Sequence, residues 1–364
     1  MTLALLSSSL RFNGGDCCNG EAEGVASDAS NGFTINITSV DGSAVTCNTT
    51  YDIQVWAVDL SGAQSGGPDI SVTTAPCSTG GKISQVVWII EENEGYSQVV
   101  GSSSAPYINN TLIADYGLAE KYYGFGHFSA DNYVEMTSGQ GSCGFDATSN
   151  QSCFQDAEYQ SSLSYPSIFG QLPSGASQTL AEGMAGKCEY GDNSANEYAQ
   201  RHNPMTYYAD SLTECNSSDV PLSGTLASAV GNTVPFTMII PNLCDDGHTS
   251  CAPDNNQVKQ QDDWLSSNLP SVLSSSQFTS GSMVIFITWD EDTGTTPGPT
   301  TQPSNHVPLL ILDHNETAGT TDTTTTFTHD SLLKSTMQLL GGPLSAFPSN
   351  IQTAPSLVGD GFGF

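Results

Sequence analysis

The 364-residue chain carries 38 acidic side chains against 7 lysines and arginines, a formal net charge of −31. That balance excludes a nucleic-acid binder, which needs clustered basic side chains to hold phosphates, and it excludes adhesion to an anionic membrane surface. The arginines and lysines are scattered, and no apolar run reaches the roughly 18 residues that argue for a bilayer-spanning helix.

Residues 1–77 read as an all-β domain. Met1–Leu10 is apolar without a basic segment before it, so it makes a poor signal peptide, and the start reads as truncated or mis-assigned. Phe33–Thr38 and Thr50–Val58 alternate with period two, and Asp41-Gly42 and Leu60–Gly62 supply turns. Thr46–Asp59 resembles the late strands of a fibronectin type III domain with Tyr51 as its corner tyrosine, so 1–77 is expected to be a partial copy. Ser78–Lys82 is a linker.

Residues 83–364 change character. Gln85–Ile90, Phe236–Ile240, Met283–Ile287 and Val307–Leu312 are continuous apolar runs, the mark of strands buried on both faces. Helical spacing predicts helices over Pro106–Tyr116, over about 257–274 with a break at Pro270, and from Thr328 to Leu340. Strands alternating with helices imply an α/β fold: a mostly parallel sheet covered by helices on both faces.

The ten cysteines fall as Cys17/Cys18, Cys47/Cys77, Cys143/Cys153, Cys188/Cys215 and Cys244/Cys251, with no C-x-x-C pair. This reads as disulfides in a secreted chain, the last eight pairing locally in sequence.

In parallel sheets ligands gather at the carboxyl ends of the strands. Here those ends carry Glu91-Glu92-Asn93, Asp245-Asp246-Gly-His248 and Asp290-Glu291-Asp292, with Asn305-His306 before the fourth run. Adjacent carboxylates repel unless a positive charge lies between them, and this chain has almost no basic side chains to spare. A divalent cation is therefore expected: Mg, Ca or Mn for a hard oxygen set, Zn if histidines join. Ser129, in His127-Phe-Ser-Ala-Asp-Asn132, is placed to cap a helix over about 130–137, where a metal would activate its hydroxyl as a nucleophile. A plain helix cap is the alternative reading.

Seven ordered motifs span 83–345: Glu92-Asn93-x-x-Tyr96, Ala105–Asn109, His127-x-Ser129-x-x-Asn132-Tyr, Thr137-Ser-Gly139, Thr288–Asp292, Asn305-His-Val-Pro308 and His329–Leu333. Together they resemble the bacterial phosphoesterase family, secreted acid phosphatases and phospholipases C of the alkaline phosphatase superfamily. The resemblance implies an alkaline phosphatase-like fold for 83–364. It implies a metal on Glu92, Asn93, Asp290 and Glu291, with Ser129 as nucleophile and Asn132 facing the phosphoryl oxygens. It also implies that His127, His248, His306 and His329 line the site as phosphate donors, leaving-group acid or second-metal ligands, His306 being assigned to the metal. Two departures stand out: Glu94-Gly95 replaces the family's His-Ser, and Phe128 and Asp131 replace its two prolines.

The expected activity is a metal-dependent acid phosphomonoesterase on a small phosphate ester. The alternatives are a phospholipase C-like enzyme, with Tyr122, Tyr123, Tyr207 and Tyr208 as a cage for a lipid headgroup, and a non-catalytic extracellular protein. The N-terminal domain would suit a cell-surface or matrix contact.

Overall fold

The computed structural model describes residues 83–141, 154, 156, 160–293, 305–359, 362 and 364, together with the backbone of nine short strands between Leu10 and Thr73. The chain divides into two compact units, Met1–Thr79 and Gly80–Phe364. In the first, the strand Thr50–Val58 pairs antiparallel with Leu10–Asn13, Gln64–Gly66 and Ile70–Thr73. The fibronectin-like reading, the linker and the cysteines up to Cys153 fall on side chains or segments outside the described residues.

The second unit is built on an eight-stranded sheet. Its strands are β1 (Gln85–Glu91), β2 (Gly117–Ala119), β3 (Ser177–Ala181), β4 (Asp219–Pro221), β5 (Phe236–Ile240), β6 (Met283–Trp289), β7 (Leu309–Asp313) and β8 (Thr321–Asp322). The spatial order is β4-β3-β5-β1-β6-β7-β2-β8. Strand β1 lies in the middle, parallel to β5 and β6 on either side. That position explains its unbroken Val-Val-Trp-Ile-Ile run: neither face meets water, and every residue of β1, β5 and β6 is buried. Strand β7 runs antiparallel to both of its neighbours, so the fourth apolar run belongs to the sheet but reverses its direction.

Three helices matter most for the site. Helix α1 (Ser129–Ser138) is buried along its whole length and ends on Gly139 at φ 69°. That left-handed value suits glycine, which has no β-carbon to clash. Helix α2 (Gln257–Leu273) starts on Asn256, whose side chain accepts from the Lys259 amide, and runs through Pro270 without stopping. A proline there costs little: it lies in the last turn, so only one ladder hydrogen bond is lost. Helix α3 (His329–Leu340) opens with a reciprocal Thr328–Ser331 cap and ends on Gly341. The predicted helix at Pro106–Tyr116 forms with a π-helical centre at Ile108–Leu112.

Two disulfides, Cys188–Cys215 and Cys244–Cys251, join the cysteines that the sequence spacing paired. Next to the first, Asp219 is fully buried and accepts two hydrogen bonds from the Asn203 amide, both at 3.0 Å. Burial nevertheless pushes its carboxyl up to about 7. A raised folded-state value means that stability is greatest at low pH and is lost as pH climbs from the ordinary carboxyl range through about 7. Asp219→Asn should flatten the dependence of Tm on pH across that window, and thermal melts between pH 4 and 8 check it. Ile287→Ala, at a fully buried central position, should cost about 2–5 kcal/mol in a denaturant titration.

Candidate active site

The carboxyl ends of β1 and β6 and the first turn of α1 meet around Glu92. Its side chain is fully buried and has three neighbours. The Ser129 hydroxyl donates to Oε2 at 3.1 Å, the Tyr133 hydroxyl donates to Oε1 at 2.9 Å, and His202 Nε2 lies 3.2 Å from Oε1. Ser129 was expected to cap α1. Instead Phe128, in an extended conformation, holds the cap position, and Ser129 is the first helical residue with its hydroxyl turned to the acids. Asp290 is close enough for that hydroxyl to favour its charged form. Its Oδ1 accepts from the amides of Glu291 at 2.7 Å and Asn93 at 3.3 Å, and its Oδ2 is buried without a partner. Asn93 takes a left-handed φ of 52° to make that turn.

Histidines close one side. His202 Nδ1 lies 3.1 Å from Asp246 Oδ2, and its ring is 5.4 Å from that of His248. With its Nδ1 proton given to Asp246, His202 presents the lone pair of Nε2 towards Glu92. A carboxylate that orients a histidine in this way is the usual support of a metal ligand. Ligand atoms of Glu92, His202 and His248 all lie within 4.8 Å of one another. His248 Nε2 accepts from Arg201 at 3.2 Å, and burial with the Arg201 charge pushes the imidazole down to about 4.

The electrostatics are lopsided. Burial raises the carboxyls of Glu92, Asp246 and Glu291 well above their usual range and lifts Asp290 to about 7. Their mutual repulsion adds to the effect. Burial also drives His202 well below its usual value. Acids forced towards neutrality, histidines forced to keep a lone pair and an orphaned Asp290 oxygen describe a donor set that fits a divalent cation. Oxygen and nitrogen ligands together suit Zn or Mn as well as Mg.

The structure therefore brings Glu92, Asn93, Ser129, Asp290 and His248 to one place and gives the other expected residues different work. Glu291 turns to His127, whose Nδ1 is 2.8 Å from its Oε2, while Asp292 lies 3.7 Å from Nε2. Asn132 does not face the site: its oxygen accepts from the Phe125 and Gly126 amides, and its nitrogen donates to the Gly126 and Phe128 carbonyls. It knots the loop that leads into Ser129. His306 is engaged elsewhere. Its ring stacks on Tyr96 at 4.3 Å and Tyr123 at 4.9 Å, and Nε2 donates to the Glu120 carbonyl at 2.6 Å. His329 is fully buried with both nitrogens used: Nε2 donates to the Asp290 carbonyl at 2.7 Å and Nδ1 accepts from Tyr122 at 2.8 Å. Burial holds it down at about 4, so it is a neutral strut.

Sequence reasoning gave Tyr133 and Arg201 no role in the site, counted Asp246 only among the strand-end acids, and left His202 open between lining the pocket and a structural role. Tyr133 sits one helical turn after Ser129, a spacing that puts both on one face of α1. Arg201 and His202 come from a short turn with no periodic signal, and only the fold brings them to the sheet.

A buried serine hydroxyl bonded to Glu92, with His202 on the same carboxylate and Arg201 against His248, is an arrangement that can serve hydrolysis of an anionic substrate. The sequence matches the Phosphoesterase family over residues 102–341, and the chain belongs to that family. It is similar to the phosphatidylinositol-3-phosphatase of Mycobacterium tuberculosis (strain ATCC 25618 / H37Rv), with 26% identity over 284 residues, 76% of this chain and 83% of the relative. A crystal structure of an alkaline phosphatase superfamily protein from Vibrio parahaemolyticus aligns with a TM-score of 0.48 at 14% identity, covering 73% of this chain and 68% of that one. The lipoteichoic acid synthase LtaP of Listeria monocytogenes aligns with a TM-score of 0.48 at 10% identity, covering 76% and 78%. The chain is a hydrolase of phosphoric esters.

Asn132→Ala should remove the knot in the 125–128 loop. Four hydrogen bonds are lost, so stability should fall by about 1–3 kcal/mol, and kcat should drop while KM stays close to the parent value. Gly124→Ala should act from the other side, because a β-carbon there would sit 2.6 Å from the Asp290 carbonyl oxygen. Steady-state kinetics with denaturant melts of both variants provide the check.

Proposed function

We propose that the chain is a metal-dependent phosphomonoesterase that uses Ser129 as nucleophile and passes through a phosphoserine. The observation that carries this reading is the Ser129 hydroxyl, 2% exposed and 3.1 Å from Glu92 Oε2, at the start of a buried helix. A divalent cation on Glu92, Asp290, His202 and His248, with Asn93 and Glu291 beside them, would supply positive charge for the serine oxygen and the phosphoryl oxygens.

The chain's own residues do the rest. Glu92 takes the hydroxyl proton as the Ser129 oxygen attacks phosphorus in line with the leaving group. Asp290 keeps the hydroxyl aimed, and His329 and Gly124 keep Asp290 in place. Arg201, 18% exposed on its side chain, is the cation that can reach a phosphoryl oxygen from solvent. His127, set between Glu291 and Asp292, is the histidine placed to pass a proton to the departing alkoxide. Water then releases phosphate from the serine.

The net charge of −31 repels a phosphate ester from the surface at large. Protonating surface carboxylates weakens that field, which supports work at acid pH. The name of the mycobacterial relative supports a phosphomonoester on an inositol headgroup as one substrate class. A phospholipase C-like cage has less support, since Tyr122, Tyr207 and Tyr208 are fully buried and Tyr123 stacks on His306. We place the enzyme outside the cell, where its disulfides persist, and assign the N-terminal fibronectin-like strands to a surface or matrix contact.

Ser129→Ala should lower turnover of an aryl phosphate on the order of 10³-fold or more without changing Tm. Undiminished activity in that variant would end the mechanism. Treatment with a chelator should abolish wild-type activity, and a divalent metal should restore it. Hydrolysis of phosphatidylcholine outpacing that of a monoester would favour the phospholipase reading.

A further inference from the structure

Arg201 and His202 stand on weak ground. They come from a turn of three residues, Gln200–His202, with no ladder of helix or sheet to hold it. A segment of that kind has little stability of its own. Yet Gln200, His202 and Asn203 are 0–1% exposed. An arginine that met a phosphoryl oxygen from a loose turn would pay ordering entropy at each encounter. Something outside the turn must fix it.

The turn belongs to the excursion between β3 and β4, residues 182–218. The Cys188–Cys215 bridge closes that excursion near its neck. Beside the bridge is Asp219, the first residue of β4, whose backbone is paired into the sheet. Asp219 holds the excursion twice. Its carbonyl accepts from the Cys188 amide at 3.2 Å, and both carboxylate oxygens accept from the Asn203 side-chain nitrogen at 3.0 Å. The same nitrogen donates to the Tyr198 hydroxyl at 3.2 Å, which donates onward to the Glu189 carbonyl at 3.0 Å. Asn203 directly follows His202. Gln200, at the other end of the turn, is pinned as well. Its amide donates to Asp192 Oδ1 at 2.8 Å, its side-chain oxygen accepts from the Gly191 amide at 2.6 Å, and its side-chain nitrogen donates to the Thr206 hydroxyl at 3.1 Å. The Tyr207 hydroxyl donates to the Arg201 carbonyl. Of these ties, the Asn203–Asp219 pair is the one that runs to the sheet.

On the reading of Arg201 as the phosphoryl contact, we propose that Asn203 and Asp219 are positioning residues of this hydrolase. Their buried pair locks the turn to the edge of the sheet, so that the Arg201 guanidinium stands ready for a phosphoryl oxygen and His202 Nε2 stays 3.2 Å from Glu92. Neither residue touches the substrate. Their contribution is orientation, and a displacement of about 1 Å can cost on the order of 100-fold in rate. The pair matches one donor group to one acceptor group, so it can be reversed. Asn203→Asp sets two carboxylates against each other, Asp219→Asn sets two carboxamides against each other, and the two substitutions together restore a donor and an acceptor.

The test uses the full chain with para-nitrophenyl phosphate as substrate and inorganic phosphate as competitive inhibitor, well below the Tm of each variant and at a slightly alkaline pH that keeps Asp219 ionised. Asn203→Asp should raise KM and the phosphate Ki about tenfold, and Asp219→Asn about threefold, since it keeps one acceptor. The double exchange should return both constants to within about twofold of the parent. A purely structural role would lower Tm and the fraction of active molecules and leave KM and Ki where they were. Parent values of KM and Ki in both single variants would therefore overturn the proposal. So would a double variant no better than the worse single one. If Asn203→Asp does not fold, Asp219→Asn and the double variant decide alone. Arg201→Ala separates the two levels and should raise the phosphate Ki about tenfold or more. An unchanged Ki there would remove the role of Arg201 and the proposal with it. A raised Ki there, beside parent values in the pair variants, would sink the positioning role alone.

Discussion

Charge compensation at the carboxyl edge of the sheet governs this molecule. Parallel strands converge there, and the chain ends three of them in acids. Glu91, Glu92, Asp246, Asp290 and Glu291 are all buried. In a low-dielectric setting such a group cannot stay ionised without either a proton or a counter-ion. Lysine and arginine are almost absent, and among the described residues Arg201 is the arginine at that edge. Protein stability and catalytic readiness therefore hang on the same electrostatic balance. On the proposed reading, a cation that neutralised the acids would also make the Ser129 hydroxyl more acidic, so folding energy and reactivity would share one source.

Around that charge the protein builds a stiff frame. Asp290 is held through its own carbonyl by His329, by the absence of a β-carbon at Gly124, and by two backbone amides at its carboxylate. Asn132 ties the approach loop, and Tyr133 fixes Glu92 from the same helix that presents Ser129. Most of these contacts are backbone to side chain and buried. Geometry held in this way needs little rearrangement when a substrate arrives, the condition under which fixed dipoles stabilise a transition state best.

The parts legible in the sequence were those with a local signature. Continuous apolar runs gave the central strands because burial on both faces removes any polar alternation. The strand-end rule then pointed to Glu92 and Asp290, and the helix-start reading pointed to Ser129. Direction was harder: Val307–Leu312 is as apolar as its neighbours, and no local pattern tells that β7 runs antiparallel. Histidine roles were harder still. His306 and His329 look like ligands in a motif, yet a carbonyl acceptor and an aromatic stack set their orientation, and both arrive from distant segments. His202 and Asp246 form a pair across 44 residues, a separation at which only the folded chain reveals the contact. Pro270 misled for the opposite reason, since its effect depends on how many residues of helix remain after it.

The Cys244–Cys251 bridge spans seven residues of sequence, and within that short ring lie Asp245, Asp246 and His248. Cross-linking fixes the loop before any ion is present, which lowers the entropy that the ion would otherwise have to overcome. On the proposed reading this would give maturation an order: sulfur oxidation first, mineral uptake second. A reducing environment would then leave that loop slack and slow to take an ion, and the cellular compartment would act as a timer.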